Sequence, residues 1–146
     1  MEIYSIGFTQ SAAEQFFGTL KAAGVRRLLD VRLNNTSQLA GFAKRDDLAY
    51  FLREICGAVY EHEPLLAPTQ AMLDDYKKKK GAWEAYEREF IGLMRERRVE
   101  AELSPAPFRA TPTALLCSEK TAEHCHRRLV LEYLRGAWGD VTITHL

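Results

Sequence analysis

Five short apolar runs alternate with stretches of helical periodicity, and that alternation leaves the chain few folds to choose from. Residues 3–6, 27–31, 59–62, 113–117 and 141–145 have the length and composition of strands. After the first run, Ser11 and Glu14 form the S-x-x-E pattern of a capping box. Phe16, Phe17 and Leu20 then supply an apolar face, and Gly24 stands where a helix stops. Leu48, Phe51, Leu52 and Ile55 recur at i, i+3, i+4 and i+7 before Gly57. Pro64 and Pro68 mark a loop, after which helices are expected over about residues 69–80 and 82–97. The second carries a stripe of Trp83, Tyr86, Phe90 and Met94. The Ser104-Pro-Ala-Pro107 segment interrupts the pattern, and a last helix is expected over residues 122–135.

Strands alternating with helices imply an α/β fold: a mostly parallel sheet of about five strands, helices on both faces, joined by right-handed crossovers. The strand order is not legible. With 146 residues, 47% of them apolar, a single domain spanning residues 1–146 has enough material for a core. Twenty basic residues balance twenty acidic ones, which argues against a dedicated nucleic-acid coat while leaving room for a local basic patch. Three cysteines do not make a disulfide framework and fit a reducing cytosol. No signal peptide or membrane span is read, so a cytoplasmic protein is expected.

In such folds ligands sit outside the carboxyl ends of the strands. That rule gathers Gly7–Thr9, Asp30–Arg32, His62 and Cys117–Glu119 along one edge. The densest chemistry is in Cys117-Ser-Glu119-Lys-Thr-Ala-Glu-His124-Cys125-His126-Arg127-Arg128, where a buried strand ends on a cysteine and a helix follows.

The Ile6-Gly7 turn, Asp30-Val31-Arg32, Tyr60-x-His62-x-Pro64, and Cys117-x-Glu119 followed by Cys125-His126-Arg127 resemble the family called domain of unknown function 488. The resemblance runs over nearly the whole chain and implies a compact bacterial or archaeal α/β domain without an established biochemical role. Two departures fall at the candidate site. Phe8-Thr9 stands where the family often has His-Ser, keeping a hydroxyl and losing an imidazole. Leu33-Asn-Asn-Thr-Ser37 replaces a commoner form with proline and a Ser-Arg pair.

On a helix the apolar face of Leu129, Val130, Tyr133 and Leu134 carries His126 near its centre and Arg127 at its margin, while Arg128 points away toward Glu132. A cation in the first helical turn opposes the helix dipole, so an anion should answer Arg127: Glu119 or Asp30 internally, or a ligand phosphate held with the free amides after Thr121. Cys117 meets a helix N-terminus, a setting that activates thiols. Its loop lacks the glycines and nearby arginine of a phosphate-cradling cysteine loop, the first arginine being ten residues on. Zinc ligation by Cys117, His124, Cys125 and His126 is not expected, because adjacent helical residues diverge by about 100°. The Lys77–Lys80 run reads as a solvated helix end able to add a phosphate contact, and Tyr76 is a candidate for stacking on a base.

The leading expectation is a pocket for a phosphate-bearing small molecule or nucleic-acid fragment, with no cofactor. Asp30, Cys117, Glu119 and His126 are the candidate catalytic groups; Thr9, Arg32, Ser37, His62 and Arg127 are the candidate ligand-binding ones. The alternatives are a thiol enzyme using Cys117 and a non-catalytic partner-binding module.

Overall fold

The computed structural model describes residues 1–36 and 41–146. Its strands are β1 (Glu2–Gly7), β2 (Arg27–Asp30), β3 (Val59–His62), β4 (Thr113–Cys117) and β5 (Thr142–His145). All pair in parallel, in the order β3-β2-β4-β1-β5. Every strand end therefore faces the same way. The register sets Gly7 against Cys117, and Asp30 against both Leu116 and His62.

Alternation along each strand divides the core in two. Leu28, Ala114 and Leu116 pack with Phe16, Phe17 and Leu20 of α1 (Ala13–Ala22) and with Leu48 of α2 (Arg45–Phe51). Leu29, Leu115 and Cys117 face the opposite layer. That layer is built from α3 (Gln70–Leu73), α4 (Trp83–Glu96), α5 (Val99–Glu102), α6 (Ala106–Ala110) and α7 (His126–Trp138). The α4 stripe of Trp83, Tyr86, Phe90 and Met94 is buried there. Central β4 is buried along its whole length, as a strand covered by helices on both sides must be.

Four local expectations are corrected. The capping box does not form: Ala12 is the N-cap of α1 and no side chain caps it, because Ser11 lies one residue too early. The helix after α2 widens into a π-turn over Leu52–Cys56. That extra residue rotates the face, so Cys56 is buried and Ile55 is exposed. A π-turn likewise extends α3 over Asp74–Lys78. The short helices α5 and α6 occupy a stretch expected to be irregular. Finally, α7 begins at His126, four residues after the expected start, with Cys125 as an extended N-cap at φ −137° and ψ 138°.

Candidate functional site

At the carboxyl edge, on the α4/α7 side of the sheet, a cavity of about 380 Å³ opens. Cys117, Cys125 and His126 line its sheet side, Arg32 and Asn34 come from the loop after β2, and Tyr76, Lys77, Trp83 and Tyr86 come from the helices. The volume lies in the range of small-ligand pockets, and the mixture of aromatic walls with a few convergent polar groups is what such pockets share.

Arg32 is the most constrained cation there. Its Nε and Nη2 donate to Asp30 Oδ1 and Oδ2 at 2.9 and 2.8 Å, and its backbone N–H reaches Oδ1 at 3.0 Å. The Tyr60 hydroxyl donates to Asp30 Oδ2 at 2.5 Å, and His62 Nε2 donates to the Arg32 carbonyl at 2.8 Å. Phe8 lies under the guanidinium at 5.2 Å. Arg32 is only 3% exposed, and its remaining nitrogen, Nη1, is the one buried side-chain nitrogen or oxygen among the described residues that has no partner. Fork geometry turns Nη1 away from the carboxylate that holds the other edge. Burial, with help from the Asp30 hydrogen bond, pushes the Tyr60 hydroxyl well above its usual range, so Tyr60 is a donor at neutral pH.

Cys117 and His126 form the second cluster. His126 Nε2 lies 2.7 Å from the Val31 carbonyl, and because a carbonyl only accepts, Nε2 carries the hydrogen. Cys117 Sγ lies 3.4 Å from Nδ1 and 3.8 Å from Nε2, so the sulfur sits against the face of the ring. The neighbouring Cys125 thiol, aided by the Ser118 amide and the charge of Arg127, lowers the Cys117 pKa against the effect of burial. The neighbouring Cys117, with burial, pushes the Cys125 thiol up.

Arg127 is fully buried and does not line the cavity. Neither expected carboxylate answers it. Asp30 is held by Arg32, and the Glu119 carboxylate pairs with Lys77 at 2.5 Å. Instead, Arg127 donates to Ser5 Oγ at 3.1 Å and to the carbonyls of Glu119 and Lys120 at 2.6 and 3.5 Å. Its role is to brace the loop between β4 and α7. The amides just after Thr121 belong to that loop and not to the start of α7. Arg128 pairs with Glu132 at 2.7 Å, as its outward position implied.

Among the sequence candidates, then, Arg32, Cys117, Glu119 and His126 line the cavity. Asp30 and His62 stand behind Arg32. Exposed Thr9 donates to the Ser118 carbonyl at 2.5 Å and so fastens the same loop from the β1 side. Ser37 lies outside the described residues. Cys125, Tyr86, Gln70 and Ser118, which are not among those candidates, also line the cavity. For Cys125 a local signal existed: no helix-capping side chain stands immediately before His126, so the residue there was free to be extended. The divergence expected of Cys125 and His126 does not apply, since only His126 is helical.

No helix among the described residues is long and apolar enough to cross a membrane. No curated protein and no solved structure matches the chain. The family model described as Domain of unknown function DUF488 matches residues 12–134. Since that match takes in most of the chain, the protein belongs to the DUF488 family.

Proposed function

We propose that the cavity binds a small phosphate-bearing ligand of nucleotide size. The observation that carries the reading is the buried, unpartnered Nη1 of Arg32, a residue that lines a ligand-sized cavity. A buried N–H left without an acceptor costs about 1–3 kcal/mol, which a bound anionic oxygen would recover. Asp30, itself held by Tyr60, grips the guanidinium, and His62 holds the Arg32 carbonyl, so little ordering remains to be done on binding. Lys77 and Lys78 stand at the rim, and half-buried Tyr76 offers a ring for a base.

The test is thermal denaturation across titrations of inorganic phosphate and of nucleoside monophosphates. Wild type should gain stability with ligand, by about 2.7 kcal/mol at a hundredfold excess over Kd. Arg32→Gln should lose that gain. Lys78→Ala, an exposed change that leaves the fold alone, should shift the titration to higher concentration. No stabilisation of wild type by any of these anions overturns the reading.

A second reading has its own support. Cys117 Sγ sits against the His126 ring, whose Nε2 is held by the Val31 carbonyl, the thiol–imidazole neighbourhood from which activated thiols are built. On this reading iodoacetamide modifies Cys117 faster than Cys56 or Cys125, and His126→Gln removes the difference. Equal, slow modification of all three would leave Cys117 without a nucleophilic role.

A further inference from the structure

Neither reading uses Cys125, and neither explains why two sulfurs and an imidazole meet at one point. Cys117 Sγ, Cys125 Sγ and a ring nitrogen of His126 lie within 4.8 Å of one another, and all three residues are buried. The donors come from the end of β4 and the first residues of α7, two elements fixed by the core. We propose that Cys117, Cys125 and His126 form a three-ligand site for a divalent transition-metal ion of the zinc type, with its fourth position open to the cavity.

Three observations support it. Two thiolates and an imidazole are the borderline-soft donor set that zinc selects over magnesium or calcium. The spacing is close to what is needed: bonds of about 2.3 Å to sulfur and 2.0–2.1 Å to nitrogen imply tetrahedral edges of roughly 3.5–3.8 Å. Cys117 Sγ lies 3.4 Å from Nδ1 and 3.8 Å from Nε2, and no two ligand atoms are more than 4.8 Å apart, so a turn of the imidazole and shifts of about 1 Å close the triad on an ion. Finally, His126 already donates its other ring nitrogen to a backbone carbonyl, the outer contact that a metal-bound histidine makes to fix its orientation.

Three protein ligands facing a cavity are the pattern of a catalytic rather than a structural zinc site, whose remaining position takes water or a ligand oxygen. His124 also lines the cavity but stacks on Trp83 with ring centres 4.9 Å apart, and the Glu119 carboxylate is engaged by Lys77. Metal uptake releases the thiol protons to solvent and transfers no electrons. A metal-bound Cys117 is not a free nucleophile, so this site and the thiol reading exclude each other.

The experiment uses the full chain, reduced and freed of metal with a chelator, in buffer without phosphate or nucleotide. Cobalt(II) is the probe. One equivalent should produce thiolate-to-cobalt charge-transfer bands and the intense visible bands of a four-coordinate ion, both removed by zinc. Cys125→Ser should lose most of the charge-transfer intensity, and Cys56→Ser should keep all of it. Zinc should also protect Cys117 and Cys125, located by peptide mass spectrometry, from alkylation. That readout needs only wild type, so it decides even where a variant fails to fold. A wild-type spectrum no different from cobalt in buffer, or bands unchanged by Cys125→Ser, overturns the site. Because anion is absent throughout, the outcome is independent of the phosphate titrations.

Discussion

Gly7 has no room for a side chain. A Cβ there would overlap the Glu119 carbonyl and come within 3.0 Å of Arg127 Nη1. The glycine lets β1 end against the loop that Arg127 braces, and the obstruction is backbone, which cannot swing aside. Gly7→Ala should therefore cost about 2–3 kcal/mol in urea denaturation, at the upper end for overpacking. A cost near zero would mean that the loop is not held as described. Tyr60 carries a second residue-scale prediction. Its folded pKa is raised above the ordinary value of 10.0, so its contribution is complete below that value and is lost as pH rises through the folded one. Tyr60→Phe should flatten the fall in stability above about pH 10. It should also weaken Asp30's hold on Arg32. An alkaline slope equal to that of wild type would remove Tyr60 from the account.

The loop from Ser118 to Cys125 is the element on which the site depends, and it is where local sequence and structure part. Thr121 and the polar residues after it suit a helix start. The loop's carbonyls are instead taken by side-chain donors from outside it: Thr9 to Ser118, Arg127 to Glu119 and Lys120, Arg128 to Glu123. A carbonyl so occupied competes with the i→i−4 ladder, and tertiary contacts win over propensity. The limits of β4 were legible because an apolar run bounded by polar residues is a local signal. So was the α4 stripe. The clamp on Arg32 was not, since Tyr60 and His62 reach it from another strand, and no spacing along the chain announces that meeting. Arg127→Ala should leave three acceptors and a void inside the protein. We expect a loss on the order of 3 kcal/mol that phosphate does not restore. Stability regained with phosphate would return Arg127 to the ligand.

For the molecule as a whole, an all-parallel sheet decides where chemistry can gather. With every strand pointing one way, the groups at the ends of β2 and β4 share an edge although 87 residues separate Asp30 from Cys117. The expectation of one polar edge followed from alternation alone. Which groups along it face the cavity depended on strand order and on the exact start of α7, neither of which is written locally. The central claim is that the free Nη1 of Arg32 is an anion site. Its most direct test is a crystal of the protein soaked in a nucleoside monophosphate. The account predicts a phosphate oxygen about 2.7–3.2 Å from Arg32 Nη1, with Asp30 still gripping the other edge of the guanidinium. Phosphate density at another place, with Arg32 Nη1 still lacking an anionic partner, would contradict it.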